Sequence, residues 1–349
     1  MKIVFHFLIL EFKPTFHKMK NRERIVLFFG LLTTFGWAQQ QVPQVDIRNG
    51  DISATLYLPD KDMGYYRASR FDWAGIIPKL EYKGHTYFGK WFQGYDPLSH
   101  DAIMGPVEDF KAVGFEKAKA GESFLKIGVG LLKKDDGDKH SFSKTYDIID
   151  HGKRKVKVRT NAVTFLHEIT SDKYSYSYEK KVKLTKGKPQ LVLQHRFKNT
   201  GKLPIESLVN NHNFFVMDNL SIGPGYSVTF PFTLTDKDGV PYASSPEETG
   251  LKDYAKIEGN KVVFTKALVD DFAQIRPAFG FDPNDPKDYD IRLENKQAGI
   301  GVRITCDQPI SSLAVWSAPQ TICPQPYINV KANPGEVYTW TITYTFYTL

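Results

Sequence analysis

Val337-Tyr338-Thr339-Trp340-Thr341-Ile342-Thr343-Tyr344-Thr345-Phe346 decides the fold class. Tyr338, Trp340, Ile342, Tyr344 and Phe346 fall on one face, and four threonines fall on the other. A period of two, carried by aromatic and β-branched residues, is the pattern of a half-buried strand. The same period recurs upstream. Leu191, Leu193, His195 and Phe197 share a face, with Gln194 and Arg196 opposite, and Tyr174, Tyr176 and Tyr178 stand against Ser175 and Ser177. Turn signals separate these runs: Thr185-Lys186-Gly187-Lys188-Pro189, Asn199-Thr200-Gly201-Lys202, Asp236-Lys237-Asp238-Gly239 and Asn333-Pro334-Gly335-Glu336. In Lys256 to Val263 the dipeptide Gly259-Asn260 predicts a two-residue hairpin with Gly at the first turn position.

Helical periodicity is scarce. Ala102 to Val113 is expected to hold a short helix, interrupted by Gly105-Pro106. No βαβ alternation, internal repeat or low-complexity linker is present. Residues 280–290, polar and Pro-rich, read as a long surface loop. The expectation is an all-β chain, one large antiparallel β-sandwich over residues 39–349.

Composition agrees. The chain has 349 residues, 41% of them apolar and 24% charged, so disorder as the main state is excluded. A formal charge of +7 suggests a nucleic-acid partner, but residues 1–38 hold six of the basic residues and two of the acidic ones. The remaining 40 basic and 37 acidic residues leave +3, which is no footprint for a phosphate backbone.

The N-terminus reads as an address. Met19-Lys20-Asn21-Arg22-Glu23-Arg24 is basic, Ile25 to Phe35 is apolar, and Gly36-Trp37-Ala38 places small residues before a cut at Gln39. That is the architecture of a secretory signal, with an apolar run too short to span a bilayer. Met19 is the expected start, and residues 1–38 are expected to be removed as leader and signal peptide. The mature chain is then periplasmic or secreted, with no stable membrane anchor. Its two cysteines, Cys306 and Cys323, are open to two readings, a disulfide or two buried thiols.

No Walker sequence, His-Glu-x-x-His pattern or Gly-x-Ser-x-Gly elbow occurs. Four segments remain. Ala68-Ser69-Arg70-Phe71-Asp72-Trp73-Ala74-Gly75 can present a guanidinium fork to hydroxyls, or a surface Arg paired with Asp72. Trp91 to Phe110 sets aromatics beside His100, Asp101 and Glu108, a mixture suited to the apolar faces and hydroxyl edges of sugar rings. Val209-Asn210-Asn211-His212-Asn213-Phe214-Phe215 is costly for a plain strand because Asn is depleted in strands. A His there can serve as a general acid. Ala314-Val315-Trp316 … Pro324-Gln325-Pro326-Tyr327 brackets Gln325 with prolines, which predicts a side chain held at a sheet end.

In this order the segments resemble the galactose mutarotase-like superfamily, the aldose 1-epimerases and their relatives. The likeness runs over most of the mature chain: Arg70 in its Gly-rich strand, His100 in an aromatic loop, Thr185-Lys186-Gly187 through Asn199-Thr200-Gly201, the Asn211–Phe215 strand, and Val315-Trp316 through Tyr344-Thr345-Phe346-Tyr347. It implies an antiparallel β-supersandwich acting at the anomeric centre of a sugar. It carries the general acid onto His212, a supporting His onto His100, the hydroxyl-clamping Arg onto Arg70 and a substrate-binding acid onto Asp290. The base falls on position 325, where the expected Glu is Gln. An amide cannot accept the proton, and losing a general base costs about 10²–10⁴ in rate.

Three functions follow as expectations. The first is an exported epimerase-like enzyme whose displaced base is Glu108, Asp101 or His100. The second is a non-catalytic carbohydrate-binding protein keeping Arg70, Asn211, His212, Trp316 and Gln325 for a mono- or oligosaccharide. The third is a polysaccharide lyase or hydrolase on a related sandwich. None calls for a cofactor or metal, and the oligomeric state is left open.

Overall fold

The structure, a computed structural model, describes residues 42–242, 250–270 and 272–349. The leader and signal expected at 1–38 lie outside the described residues. Two antiparallel sheets form the body. The larger has ten strands, ordered from one edge as Ala255–Glu258, Lys261–Phe264, Tyr226–Thr229, Asp290–Asn295, Ile300–Cys306, Val337–Thr348, Gln190–Asn199, Tyr176–Leu184, Ala162–Ile169 and Lys153–Arg159. The other has five, ordered Ala273–Ala278, Ser312–Ala318, Thr321–Ala332, Ile205–Phe214 and Gly105–Phe110. A four-stranded sheet begins with Gln44–Asn49, and a three-stranded sheet comprises Ser123–Lys126, Gly130–Lys133 and Ile148–Asp150. The fold is the antiparallel β-sandwich expected.

Period two does what the sequence predicts. Trp340, Ile342, Tyr344 and Phe346 are buried, while the threonines between them are half-exposed. Phe110 of the five-stranded sheet meets Tyr178 and Trp340 of the ten-stranded sheet edge-on, at 5.5 and 6.3 Å. Glu258 pairs with Lys261 across Gly259-Asn260, and Gly259 takes φ +62, a turn that favours glycine.

Charge also crosses this interior. The Glu108 carboxylate accepts from Lys180 Nζ and lies 2.8 Å from His195 Nε2. All three side chains are fully buried, and Asp72 Oδ2 stands 3.9 Å from the same ammonium. Burial would raise the Glu108 carboxyl, but Lys180 and His195 hold it below the usual carboxylate range.

Two local expectations change, and one open reading is decided. Residues 102–113 are not helical, because Gly105–Phe110 pairs along Ile205–Phe214, from Gly105 opposite Phe214 to Phe110 opposite Val209. Gly105 has φ +76, and a Cβ there would meet the Ile77 carbonyl at 2.8 Å. Gln325 is not at a sheet end but inside Thr321–Ala332, the central strand of its sheet. The prolines are tolerated because the ladder to Ile205–Phe214 runs only to Asn210 opposite Tyr327 and resumes with Phe215 opposite Ile322. In that gap Asn213 Nδ2 donates to the Pro324 carbonyl at 2.8 Å. Finally, Cys306 and Cys323 are both buried free thiols.

Candidate functional site

The gap in the ladder is where the polar side chains gather. Along Ile205–Phe214, Asn210, His212 and Phe214 point to one side, and Asn211 and Asn213 to the other. On the first side lies a chamber of about 300 Å³, walled by Trp316, Phe142 and Phe214, with Arg70, Asp101, His212, Gln274, Arg276 and Gln325 as its polar lining. That volume lies at the small end of ligand pockets, which run from roughly 300 Å³ upward.

His212 and Gln325 face each other across the gap. Gln325 Oε1 accepts from Asn210 Nδ2 at 3.0 Å, which turns the amide nitrogen toward His212. Gln325 Nε2 then donates to His212 Nε2 at 3.0 Å. The imidazole therefore carries its proton on Nδ1, which is buried with no hydrogen-bond partner among the described residues. Its ring stacks on Phe214 at 4.1 Å and meets the Phe71 edge at 5.5 Å. Burial, and then the Arg70 charge, push His212 well below the ordinary histidine value. It is a neutral imidazole at physiological pH.

Arg70 is clamped on all sides. Its Nε donates to Asp109 Oδ2 at 3.0 Å, its Nη1 donates to Asp101, and its guanidinium lies 4.5 Å from the ring centroids of both Phe71 and Phe142. Burial would depress it, but Asp109 and Asp101 hold it above the ordinary arginine value. Lys126 Nζ, almost fully buried, donates to Asp109 Oδ1 at 2.7 Å. Burial opposes ionisation of Asp109, yet Lys126 and Arg70 pull its carboxyl down to about 2. Two donors of the guanidinium fork are spent on carboxylates, which leaves the others for a ligand.

Of the residues named from sequence, Arg70, Asp101, His212, Trp316 and Gln325 come together in this chamber. His100 stands behind it, with Nε2 2.9 Å from Asp101 Oδ2. Three others go elsewhere. Glu108 faces the sandwich interior, held by Lys180 and His195, because its strand alternates and Asp109 takes the cleft side. Asn211 also faces inward, donating to Tyr344 Oη at 2.8 Å and Tyr289 Oη at 3.2 Å. Asp290 lies outside the chamber, paired with Arg303 at 2.6 Å on a strand of the ten-stranded sheet.

Sequence reasoning missed Asn210, Asp109, Lys126 and Arg276. The first two carried a signal. Once His212 is assigned to the cleft, parity puts Asn210 beside it and excludes Asn211, and register then selects Asp109 opposite Asn210. Lys126 and Arg276 had none, since they arrive from other sheets and strands.

No family model and no curated protein matches the sequence. Solved structures do match. The GalM/aldose epimerase homologue from C. elegans superposes with a TM-score of 0.53 at 14% identity, over 88% of this chain and 100% of that one. A galactose mutarotase-like protein from Lactobacillus casei gives 0.50 at 14% identity, over 87% and 100%. The Slr1438 protein from Synechocystis sp. PCC 6803 gives 0.54 at 10% identity, over 88% and 97%. At these identities the likeness is one of architecture, and the chain has the galactose mutarotase-like fold.

Proposed function

We propose that the chain recognises a sugar ring in the chamber between Trp316 and Arg70, as a carbohydrate-binding protein without the usual proton-transfer pair. The Gln325 amide, 3.0 Å from His212 Nε2, carries this reading. An amide accepts no proton from a hydroxyl, and it occupies the imidazole nitrogen that faces it. His212, kept neutral by burial, has no proton on that nitrogen to give. What remains suits recognition. Trp316 supplies an apolar ring face, and the Arg70 fork and Gln274 supply hydrogen bonds. Sugar hydroxyls, which both donate and accept, match that polar lining. The mutarotase-like fold supports a sugar as the ligand class by analogy.

Calorimetric titration with a panel of hexoses and their oligomers tests it. We expect binding to at least one sugar, with a loss of about tenfold or more in Trp316→Ala. No binding across the panel, or undiminished binding in that variant, overturns it.

A second reading rests on Asp101. Its carboxylate lines the chamber and is backed by His100 at 2.9 Å, an alternative base for anomer interconversion. Polarimetry decides between the two: buffer-level rates over the same panel sustain binding alone, and rates that vanish in Asp101→Asn establish the enzyme. Export belongs to the proposal as well, and N-terminal sequencing of the mature protein would find Gln39 first.

A further inference from the structure

The cleft continues past His212. A second chamber of about 500 Å³ shares Arg70, Phe142 and Arg276 with the first. Its floor is neutral overall: Arg70 and Lys126 are matched by Asp109 within the chamber and Asp101 beside it. Its rim is not. Arg276, Lys111 and Lys139 are exposed and form no ion pair among the described residues, with Glu116 the one carboxylate among them. The Arg276 charge reaches both parts of the cleft, since it depresses His212 in the first chamber and acts on Tyr327 in the second. His140, pushed down to about 4 by burial and then by Lys126, adds a neutral hydrogen-bonding ring. A chain whose mature part is almost neutral has thus gathered unmatched cations at one end of one cavity. Low-dielectric walls there strengthen their attraction for an anion.

We propose that the second chamber is an anion subsite, so that the sugar recognised here bears an oxyanion, a hexuronate carboxylate or a sulfate ester, on the ring beside Trp316 or on its neighbour. The ring lies in the first chamber, and Arg276 with Lys139 and Lys111 takes the charged group in the second. This rests on the sugar-binding reading above and narrows its ligand class from neutral to acidic saccharides.

Calorimetry on the whole chain at low salt tests it with four probes: a hexuronate disaccharide, a sulfated hexose disaccharide, the neutral disaccharide of the same linkage, and sodium sulfate. We expect one charged disaccharide to bind about tenfold or more tighter than the neutral one, and the stronger of the two identifies carboxylate or sulfate ester as the group. The preference should shrink in about 0.5 M salt and disappear in the double variant Arg276→Gln, Lys139→Gln. Both side chains are exposed, so circular dichroism and melting of the variant should match the parent. Equal affinity for charged and neutral disaccharides, or a preference that survives the double variant, overturns the subsite and leaves the sugar reading standing. Binding of sulfate lost in the double variant, with no disaccharide bound, keeps the anion site and removes the sugar reading. Silence from all four probes overturns both.

Discussion

Glu108 and Asp109 are neighbours in sequence and serve opposite faces of one strand. Glu108 is sealed in the sandwich with Lys180 and His195, and Asp109 bridges Arg70 and Lys126 beneath the cleft. One carboxylate ties the two large sheets together, and the next one orients the guanidinium that faces the ligand. The strand is thus an element of both the core and the site.

Glu108→Gln tests this division. Removing one member of a buried ion pair leaves the Lys180 ammonium only the Ala74 carbonyl and the more distant Asp72 carboxylate at 3.9 Å, at a cost toward the low end of about 3–5 kcal/mol. Urea unfolding should show that loss, while sugar affinity of the folded variant stays near the parent's. An affinity loss of about tenfold with unchanged stability would place Glu108 in the cleft after all.

Asn211 makes a similar case through neutral groups. It and Asn213 satisfy the Tyr344 hydroxyl, which donates to Asn213 Oδ1 at 2.7 Å and accepts from Asn211 Nδ2 at 2.8 Å. Asn211→Ala removes the donor to the buried Tyr289 hydroxyl and one of the two partners of Tyr344, at about 1–3 kcal/mol. The midpoint of unfolding should fall accordingly, with ligand binding preserved. A neutral effect on the midpoint would show that the hydroxyls find other partners.

What could be read from sequence, and what could not, divides along physical lines. Strands were legible because burial of one face imposes period two, as in Tyr338 to Phe346, and the Gly259-Asn260 hairpin was legible because turn geometry is local. His212, Trp316 and Gln325 were legible as unusual polar or aromatic residues in strand context, and Arg70 as a guanidinium beside an aromatic and an acid, although it sits in a bend before Ile76–Tyr82 and not in the strand expected. The helix expected at 102–113 failed because pairing with Ile205–Phe214 is a long-range interaction that outweighs a weak local pattern. Glu108 and Asn211 were chosen by residue type, and parity overrules type: each sits one position from the residue that faces the cleft. Arg276 and Lys126 reach the cleft only through tertiary packing, which no spacing encodes.

Acid should destabilise the fold through its buried histidines. His212, His167 and His195 are held below the ordinary value by burial, and His140 is pushed down to about 4. In the unfolded chain these imidazoles take up protons near pH 6.5, whereas in the folded chain they do so only at lower pH. Between these limits the unfolded state binds more protons, so stability is complete above about pH 6.5 and is lost as pH falls. Asp72, raised by burial to about 6, works in the opposite sense, but one carboxyl stands against four imidazoles. The melting temperature should fall by roughly 5 °C or more between pH 7.5 and 4.5. A flat profile over that range would mean that these rings are protonated in the folded state.

The decisive substitution is Gln325→Glu. A carboxylate at 325 keeps the donors already aimed at the side-chain oxygen, Asn210 Nδ2 at 3.0 Å and Tyr327 Oη at 3.5 Å. Its second oxygen would replace the amide nitrogen 3.0 Å from His212 Nε2, turning a donor into an acceptor. The imidazole must then carry a proton on Nε2, and the new charge raises its affinity for one. Both changes restore what anomer interconversion needs: a group able to take the hydroxyl proton, and a protonated ring able to give one. Polarimetry on the sugar that the parent binds should show interconversion rising about 10²-fold or more over the parent. The pH profile of that gain should follow the carboxylate on its acid limb. A variant that binds the sugar as before and gains no rate would show that the anomeric carbon does not lie between positions 212 and 325.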